Sequence, residues 1–173
     1  MTVHGVWLGV SLSAIATAGL LAAGSGPASG GESGRDCTIF GTVGDDVIEG
    51  TDGRDRICGR GGDDEIKARG GGDLVWAGKG NDLVVAGTGD DAVWGGSGSD
   101  TLAGVRGNDR LWGRVGIDIL IGSTGRDRFY GNRGVDAMYS ADYPPLQEWV
   151  RGGKGKDVAN VDRRDIVQSA KRQ

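Results

Sequence analysis

Residues 77–103 read AGKGNDLVV, AGTGDDAVW, GGSGSDTLA: three nine-residue units in which Gly stands fourth, Asp sixth and an apolar residue eighth. The frame extends both ways without a gap. It begins GTVGDDVIE at 41–49, then GTDGRDRIC, GRGGDDEIK and ARGGGDLVW, and after the quoted stretch runs GVRGNDRLW, GRVGIDILI, GSTGRDRFY and GNRGVDAMY, ending at Tyr139. Position eight is Ile48, Ile57, Ile66, Val75, Val84, Val93, Leu102, Leu111, Leu120, Phe129 and Met138. Each unit divides into a Gly-rich hexapeptide able to take positive φ and a three-residue strand with an apolar middle. Because side chains alternate across a strand, position eight faces an interior while positions seven and nine face out. Two units then make one coil, and each strand pairs with the one 18 residues away at the ~4.8 Å strand spacing. The expected fold is all-β, a parallel solenoid of two sheets around a core one side chain deep.

Composition fits only such a fold. The 173 residues include 36 Gly, about three times the usual share of roughly 7%. There is no Gly-X-Y period and only three Pro, which excludes collagen. A disordered Gly-rich linker would not need an apolar residue at every ninth place. The net charge of -4 argues against nucleic acid as a partner.

Val6 to Ala23 is an apolar run followed by small residues to Ser29, which reads as a secretory signal peptide over 1–28, cleaved after Ala28. Met1 to Gly5 lacks the usual Lys or Arg, but Ala, Gly, Ser and Thr dilute the run below what a membrane span requires. The expected organisation continues with a linker at 29–36, the repeat array with its N-terminal cap at 37–139, a loop insertion at 140–151, and a final repeat, cap and tail at 152–173. The insertion carries Pro144 and Pro145, which cannot donate ladder hydrogen bonds, and GGKGKDVAN at 152–160 is one further unit.

The motif resembles the RTX, or hemolysin-type, calcium-binding repeat, G-G-x-G-x-D-x-U-x, and the opening CTIFGTVGDDVIEG is similar to that of small secreted actinobacterial members with two cysteines in similar places. The resemblance covers 41–139. It implies a parallel β-roll with calcium between consecutive turns on one side, held by turn carbonyls and the position-six Asp. Calcium takes six to eight oxygens, which Gly turns and carboxylates supply together. One edge would carry Asp46, Asp64, Asp82, Asp100, Asp118 and Asp136, and the other Asp55, Asp73, Asp91, Asp109 and Asp127. The alternative is that these Asp only hydrogen-bond their own turns. The family's second Gly survives in the array only as Gly78, Gly87 and Gly96, so Gly78, Gly80, Gly87, Gly89, Gly96 and Gly98 are the expected carbonyl donors. The pairs Asp82 with Asp100, Asp73 with Asp91 and Asp91 with Asp109 rank highest, and the turns around Arg54, Arg126 and Arg133 lowest.

Thr38-Ile39-Phe40 matches the strand half of an incomplete first rung, with Cys37 where Asp would stand. Cys58 ends the second unit, so a Cys37–Cys58 disulfide would tie that rung to the next coil; two buried thiols are the alternative. The only histidine, His4, lies in the signal segment, which removes His-based triads and zinc sites from the mature chain, and a filled solenoid offers no cleft for catalysis. The expected role is a secreted, extracellular scaffold that folds on calcium, neither an enzyme nor inserted in a membrane after cleavage. The alternative is a calcium-dependent module that recognises cell-surface polysaccharide or protein. It would use Trp76, Trp94, Trp112 and Tyr130, which fall in one column at position nine on one sheet only. Ice binding lacks the regular outward Thr array it would need.

Overall fold

In a computed structural model, residues 36–140, 146–161 and 165–168 are described. The expected signal peptide, most of the linker and Pro144–Pro145 lie outside them. The described residues contain strands and no helix, and therefore no helix long and apolar enough to cross a membrane. The strands are β1 (Ile39–Phe40), β2 (Val47–Glu49), β3 (Arg56–Gly61), β4 (Glu65–Gly70), β5 (Leu74–Lys79), β6 (Leu83–Thr88), β7 (Ala92–Ser97), β8 (Thr101–Arg106), β9 (Arg110–Val115), β10 (Ile119–Thr124), β11 (Arg128–Arg133), β12 (Ala137–Tyr139), β13 (Trp149–Lys154), β14 (Val158–Asn160) and β15 (Ile166–Gln168).

Odd-numbered strands form one eight-stranded sheet and even-numbered strands a seven-stranded sheet, each in chain order. All pairings are parallel, and from β1 to β12 they keep the expected 18-residue offset, as in Val75 with Val93 and Trp94 with Trp112, while the insertion changes it to 21 at Phe129 with Val150 and 17 at Val150 with Val167. The fold is the all-β solenoid the nine-residue period requires. Position eight is the core throughout: Ile57, Ile66, Val75, Val84, Val93, Leu102, Leu111, Leu120 and Phe129 are fully buried.

Three features depart from the sequence reading. The full strands run six residues, not three, continuing through positions one to three of the next unit and leaving only positions four to six as the turn. Position one, Gly or Ala in every copy, faces inward beside position eight, and Ala68, Ala77 and Ala86 are fully buried there. The insertion ends sooner than expected: β13 returns to the ladder at Trp149, pairing Phe129 with Val150 and Tyr130 with Arg151, so 149–151 belong to a rung.

At the N-terminal end β1 pairs with β3, placing Phe40 beside Cys58, and Cys37 is disulfide-bonded to Cys58 with their Cα atoms 6.0 Å apart. The expected first rung and its bridge are both present. At the other end β14 and β15 add one short rung to each sheet.

Candidate calcium sites in the stacked turns

The position-six Asp residues stand in two columns, one on each edge of the solenoid. From Asp64 onward each Oδ1 accepts the backbone N–H of the Asp one coil earlier: Asp64 from Asp46 at 2.9 Å, Asp91 from Asp73 at 2.7 Å, Asp100 from Asp82 at 3.0 Å and Asp109 from Asp91 at 2.9 Å. The ladder continues past the last regular unit, since Asp157 accepts from Asp136 and Asp165 accepts from the Glu148 N–H. Glu148, fully buried, takes position six in the re-entering rung. Sequence reasoning left Asp157 and Asp165 undecided and missed Glu148; the signal was Val150, two residues before Gly152, where position eight belongs.

The second carboxylate oxygen separates the turns into two kinds. In Asp64, Asp73, Asp82, Asp91, Asp100, Asp109, Asp118 and Asp136 the Oδ2 atom is buried with no hydrogen-bond donor from the protein. In the first two turns Thr supplies the donors. Asp46 Oδ2 accepts the Thr42 N–H at 2.5 Å and hydroxyl at 2.9 Å, and Asp55 Oδ2 accepts the same groups of Thr51 at 2.6 and 3.0 Å. The Thr hydroxyls also lie 3.3 Å from the Gly44 and Gly53 carbonyl oxygens. These two turns adopt the self-bonded arrangement that was the alternative to metal binding, so Asp46 and Asp55 are the least suited of the eleven to a cation.

The backbone draws the same line. Position-four glycines take the left-handed region from Gly62 (φ 104°) through Gly80 (123°) and Gly98 (124°) to Gly134 (146°), while Gly44 and Gly53 do not. That conformation needs Gly for a second reason: a Cβ on Gly80, Gly89 or Gly98 would collide with the carbonyl oxygen of the corresponding Gly one coil earlier. Carbonyls of Gly62, Gly71, Gly80 and Gly89 are thus stacked along the turn edges beside the Asp columns. The same close approach holds at position two for Gly78, Gly87 and Gly96. From the third unit on, where Gly is missing there the residue still takes the left-handed region, as Arg60 (φ 80°), Arg69 (78°), Val105 (88°), Arg114 (79°), Ser123 (70°) and Asn132 (75°) do, whereas Thr42 and Thr51 do not. Those turns carry the backbone strain their bulk implies.

Burial of a carboxylate without a counter-charge favours its protonated form. Burial pushes the Asp100 carboxyl up to about 7, helped by the charges of Asp82, Asp118 and Asp63, and it pushes Asp109 up to about 7 beside Asp127, Asp91 and Asp90. Asp64, Asp91 and Asp118 rise to about 6 for the same reason. Asp73, Asp82 and Asp136 shift the same way.

An additional ladder runs along position five with the opposite polarity. There the N–H donates to the side chain one coil earlier, as from Asp63 to Asp45, Asn81 to Asp63, Ser99 to Asn81 and Asn108 to Asp90. Two hydrogen bonds from Asn108 hold the exposed Asp90 carboxyl below its ordinary range. This ladder mixes Asp, Asn, Ser and Arg, so no single-residue period announces it.

The donor set suits a hard cation. Among the described residues no three His, Cys, Asp or Glu side chains converge on one point, and both cysteines are in the disulfide. What the turns of Asp64, Asp73, Asp82, Asp91, Asp100, Asp109, Asp118 and Asp136 offer is carbonyl oxygens and one buried, donor-free carboxylate oxygen, which is calcium chemistry and not that of a thiolate or imidazole metal. No curated protein matches the chain. A family model for the RTX calcium-binding nonapeptide repeat matches it in four copies, over residues 38–66, 68–102, 94–118 and 112–142. Repeat, register and donor set agree with that match across more than half of its length, and the chain belongs to the RTX calcium-binding nonapeptide repeat family.

Proposed function

We propose that calcium completes the turns from Asp64 onward and drives folding of a secreted β-roll that serves as an extracellular scaffold. The observation that carries this is the row of buried Oδ2 atoms with no protein donor. A carboxylate left so costs several kcal/mol unless a cation or a proton joins it. Asp64, Asp73, Asp82, Asp91, Asp100, Asp109, Asp118 and Asp136 are the proposed carboxylate ligands, joined by Asp127 on its place in the column alone, with stacked Gly carbonyls such as those of Gly80, Gly89 and Gly98 as their partners. Gly at positions two and four makes the central turns the least strained, which supports the ranking of Asp82, Asp91 and Asp100 among the best sites. Calcium bound there neutralises the columns, and the chain's own part is to hold Oδ1 in the ladder and aim Oδ2 away from every donor. The role is structural rather than catalytic.

The test is circular dichroism of the full chain against free calcium. A cooperative gain of β signal at about 10⁻⁴ to 10⁻³ M is expected, in the range of extracellular modules. A spectrum unchanged by EDTA refutes it.

A second reading, recognition of a surface polymer or protein through the aromatic face, draws on the half-buried column of Trp76, Trp94, Trp112 and Tyr130. Successive ring centroids lie 4.9, 4.7 and 5.3 Å apart, with planes within 8° of parallel. Rings stacked along the solenoid axis bury their faces in one another and add roughly 0.5–1.5 kcal/mol per pair. They present edges to solvent, so this stretch favours a structural ladder, and a sugar ring would find a free face only where the stack ends. Trp149 does not cover the ladder: it stands at position seven of β13, beside Arg128.

A further inference from the structure

The aromatic stack stops at Tyr130, because the next residue in its column is Arg151 and the one after it Gln168. The neighbouring column changes in the opposite sense, from Arg110 and Arg128 to Trp149. The swap leaves a depression on the outer face of β11, β13 and β15, lined by Arg128, Tyr130, Trp149, Arg151 and Gln168 over the Phe129–Val150 backbone. Trp149 is 46% exposed. Arg151 Nη2 donates to Gln168 Oε1 at 3.0 Å, which steadies one guanidinium at the rim.

The charged residues within the strands around this depression are of one sign, the acidic Asp127, Glu148 and Asp165 standing at the turn edge just before them. Arg110 and Arg114 in β9, Arg128 and Arg133 in β11, and Arg151 and Lys154 in β13 give three adjacent strands two cations each, and no strand of this sheet contains Asp or Glu. Register sets Arg110 directly beside Arg128, and Arg133 beside Lys154. Like charges opposed across strands are destabilising. The ion pairs among the described residues, Lys67–Glu65 and Arg69–Glu49, both lie on the other sheet, and Asp90 acts electrostatically on Arg110 from a turn. A chain with a net charge of -4 has concentrated cations on one face.

We propose that this face binds an acidic polysaccharide, with one uronate residue seated in the depression. Tyr130 and Trp149 offer the aromatic surface that the closed part of the stack does not. Arg128 and Arg151 offer planar guanidinia matched to a carboxylate, and five of the six cations are Arg, the side chain suited to bidentate carboxylate recognition. The remaining cations stand on the same three strands, Arg110 in the column of Arg128, Arg114 beside Asn132, and Arg133 paired with Lys154 near the turn. Rungs repeat at ~4.8 Å, close to the length of one pyranose. The proposal deepens the surface-recognition reading and needs the roll to be folded, so circular dichroism on the same samples separates a failure to fold from a failure to bind.

The experiment titrates the calcium-loaded full chain with short oligogalacturonides, with neutral oligosaccharides of equal length, and with a single-stranded oligonucleotide, at low and high salt. Oligogalacturonide binding that weakens with salt is expected, with neutral sugars not bound. An Arg128→Gln/Arg151→Gln variant that retains the folded spectrum should lose at least about tenfold in affinity, as fits loss of charge-assisted hydrogen bonds. Trp149→Ala should lose about threefold at unchanged salt dependence, the mark of a stacking contact. Absence of oligogalacturonide binding, equal binding of neutral sugars, tighter binding of the oligonucleotide, or undiminished affinity in the double Arg variant would each overturn the proposal.

Discussion

Replacing Asp100 by Asn separates a calcium ligand from a turn-former, because the two roles predict opposite signs. Asp100 is 1% exposed; its Oδ1 accepts the Asp82 N–H at 3.0 Å, and its Oδ2 meets no protein donor. Asn keeps the first interaction and removes the charge. The folded carboxyl is raised to about 7 from an ordinary 3.8. A raised folded value means that the metal-free fold is favoured below pH 4 and loses that advantage as pH rises through 7, so the whole penalty is present at pH 8. Three units would amount to about 4 kcal/mol, and screening at the turn edge reduces it to roughly half. The buried amide left without an acceptor returns about 1 kcal/mol of that. Without calcium at pH 8, Asp100→Asn should therefore fold more readily by about 1 kcal/mol. In calcium the lost charge should raise the half-saturation concentration about tenfold. The assay is the β signal in circular dichroism, driven by trimethylamine N-oxide in EDTA for the first arm and by calcium for the second. If Asp100→Asn is harder to fold in both arms, Asp100 only bonds its turn and the ligand assignment falls.

In a chain held folded without calcium by trimethylamine N-oxide, protons should compete with calcium: at pH 6 a carboxyl with a midpoint near 7, as in Asp100 and Asp109, is about one-tenth ionised, so the sites built on them should weaken about tenfold relative to pH 8. A calcium midpoint that does not move between those pH values contradicts the burial argument. Val105→Gly removes a β-branched residue held at φ 88°, and after the entropy cost of Gly it should stabilise the calcium-loaded chain by roughly 1 kcal/mol, seen as a higher melting temperature. Replacing Cys37 and Cys58 together by Ala should cost about 3 kcal/mol in saturating calcium for a closed loop of 21 residues, read as a lower melting temperature.

Much of this architecture was legible because the nine-residue period fixes two things at once: which residue faces inward and which residue lies one coil away. Ile48 through Met138, the paired Asp columns, the Cys37–Cys58 closure and the aromatic column all follow from those two rules. What the period does not carry was harder to read. Position one is small because two walls meet there: in the later units a Cβ on Gly95, Gly104 or Gly113 would strike the Oδ2 of Asp100, Asp109 or Asp118 in the same unit. That constraint is three-dimensional and looks in the sequence like one more turn glycine. Thr42 and Thr51 occupy the same position as Arg60 and Gly78, yet a hydroxyl four residues before Asp changes the turn from one that lacks a donor to one that has its own. The rung that re-enters at Trp149 was hidden by Glu148 in the place of Asp.

Those two Thr-closed turns sit next to the disulfide, at one end of an otherwise repetitive rod. A structure in which each rung touches only its neighbours gains order by accretion, and the first rungs are the costly ones because nothing yet exists to pair with. Here the opening rungs carry covalent closure and internal donors, so they require no ion to hold their shape. The chain is thereby a template with a starting edge. If calcium drives folding as proposed, incoming coils would be captured one at a time, each delivering an N–H to the carboxylate of the next and forming the seat for the following ion, and rising calcium would lengthen the rod from its amino-terminal end.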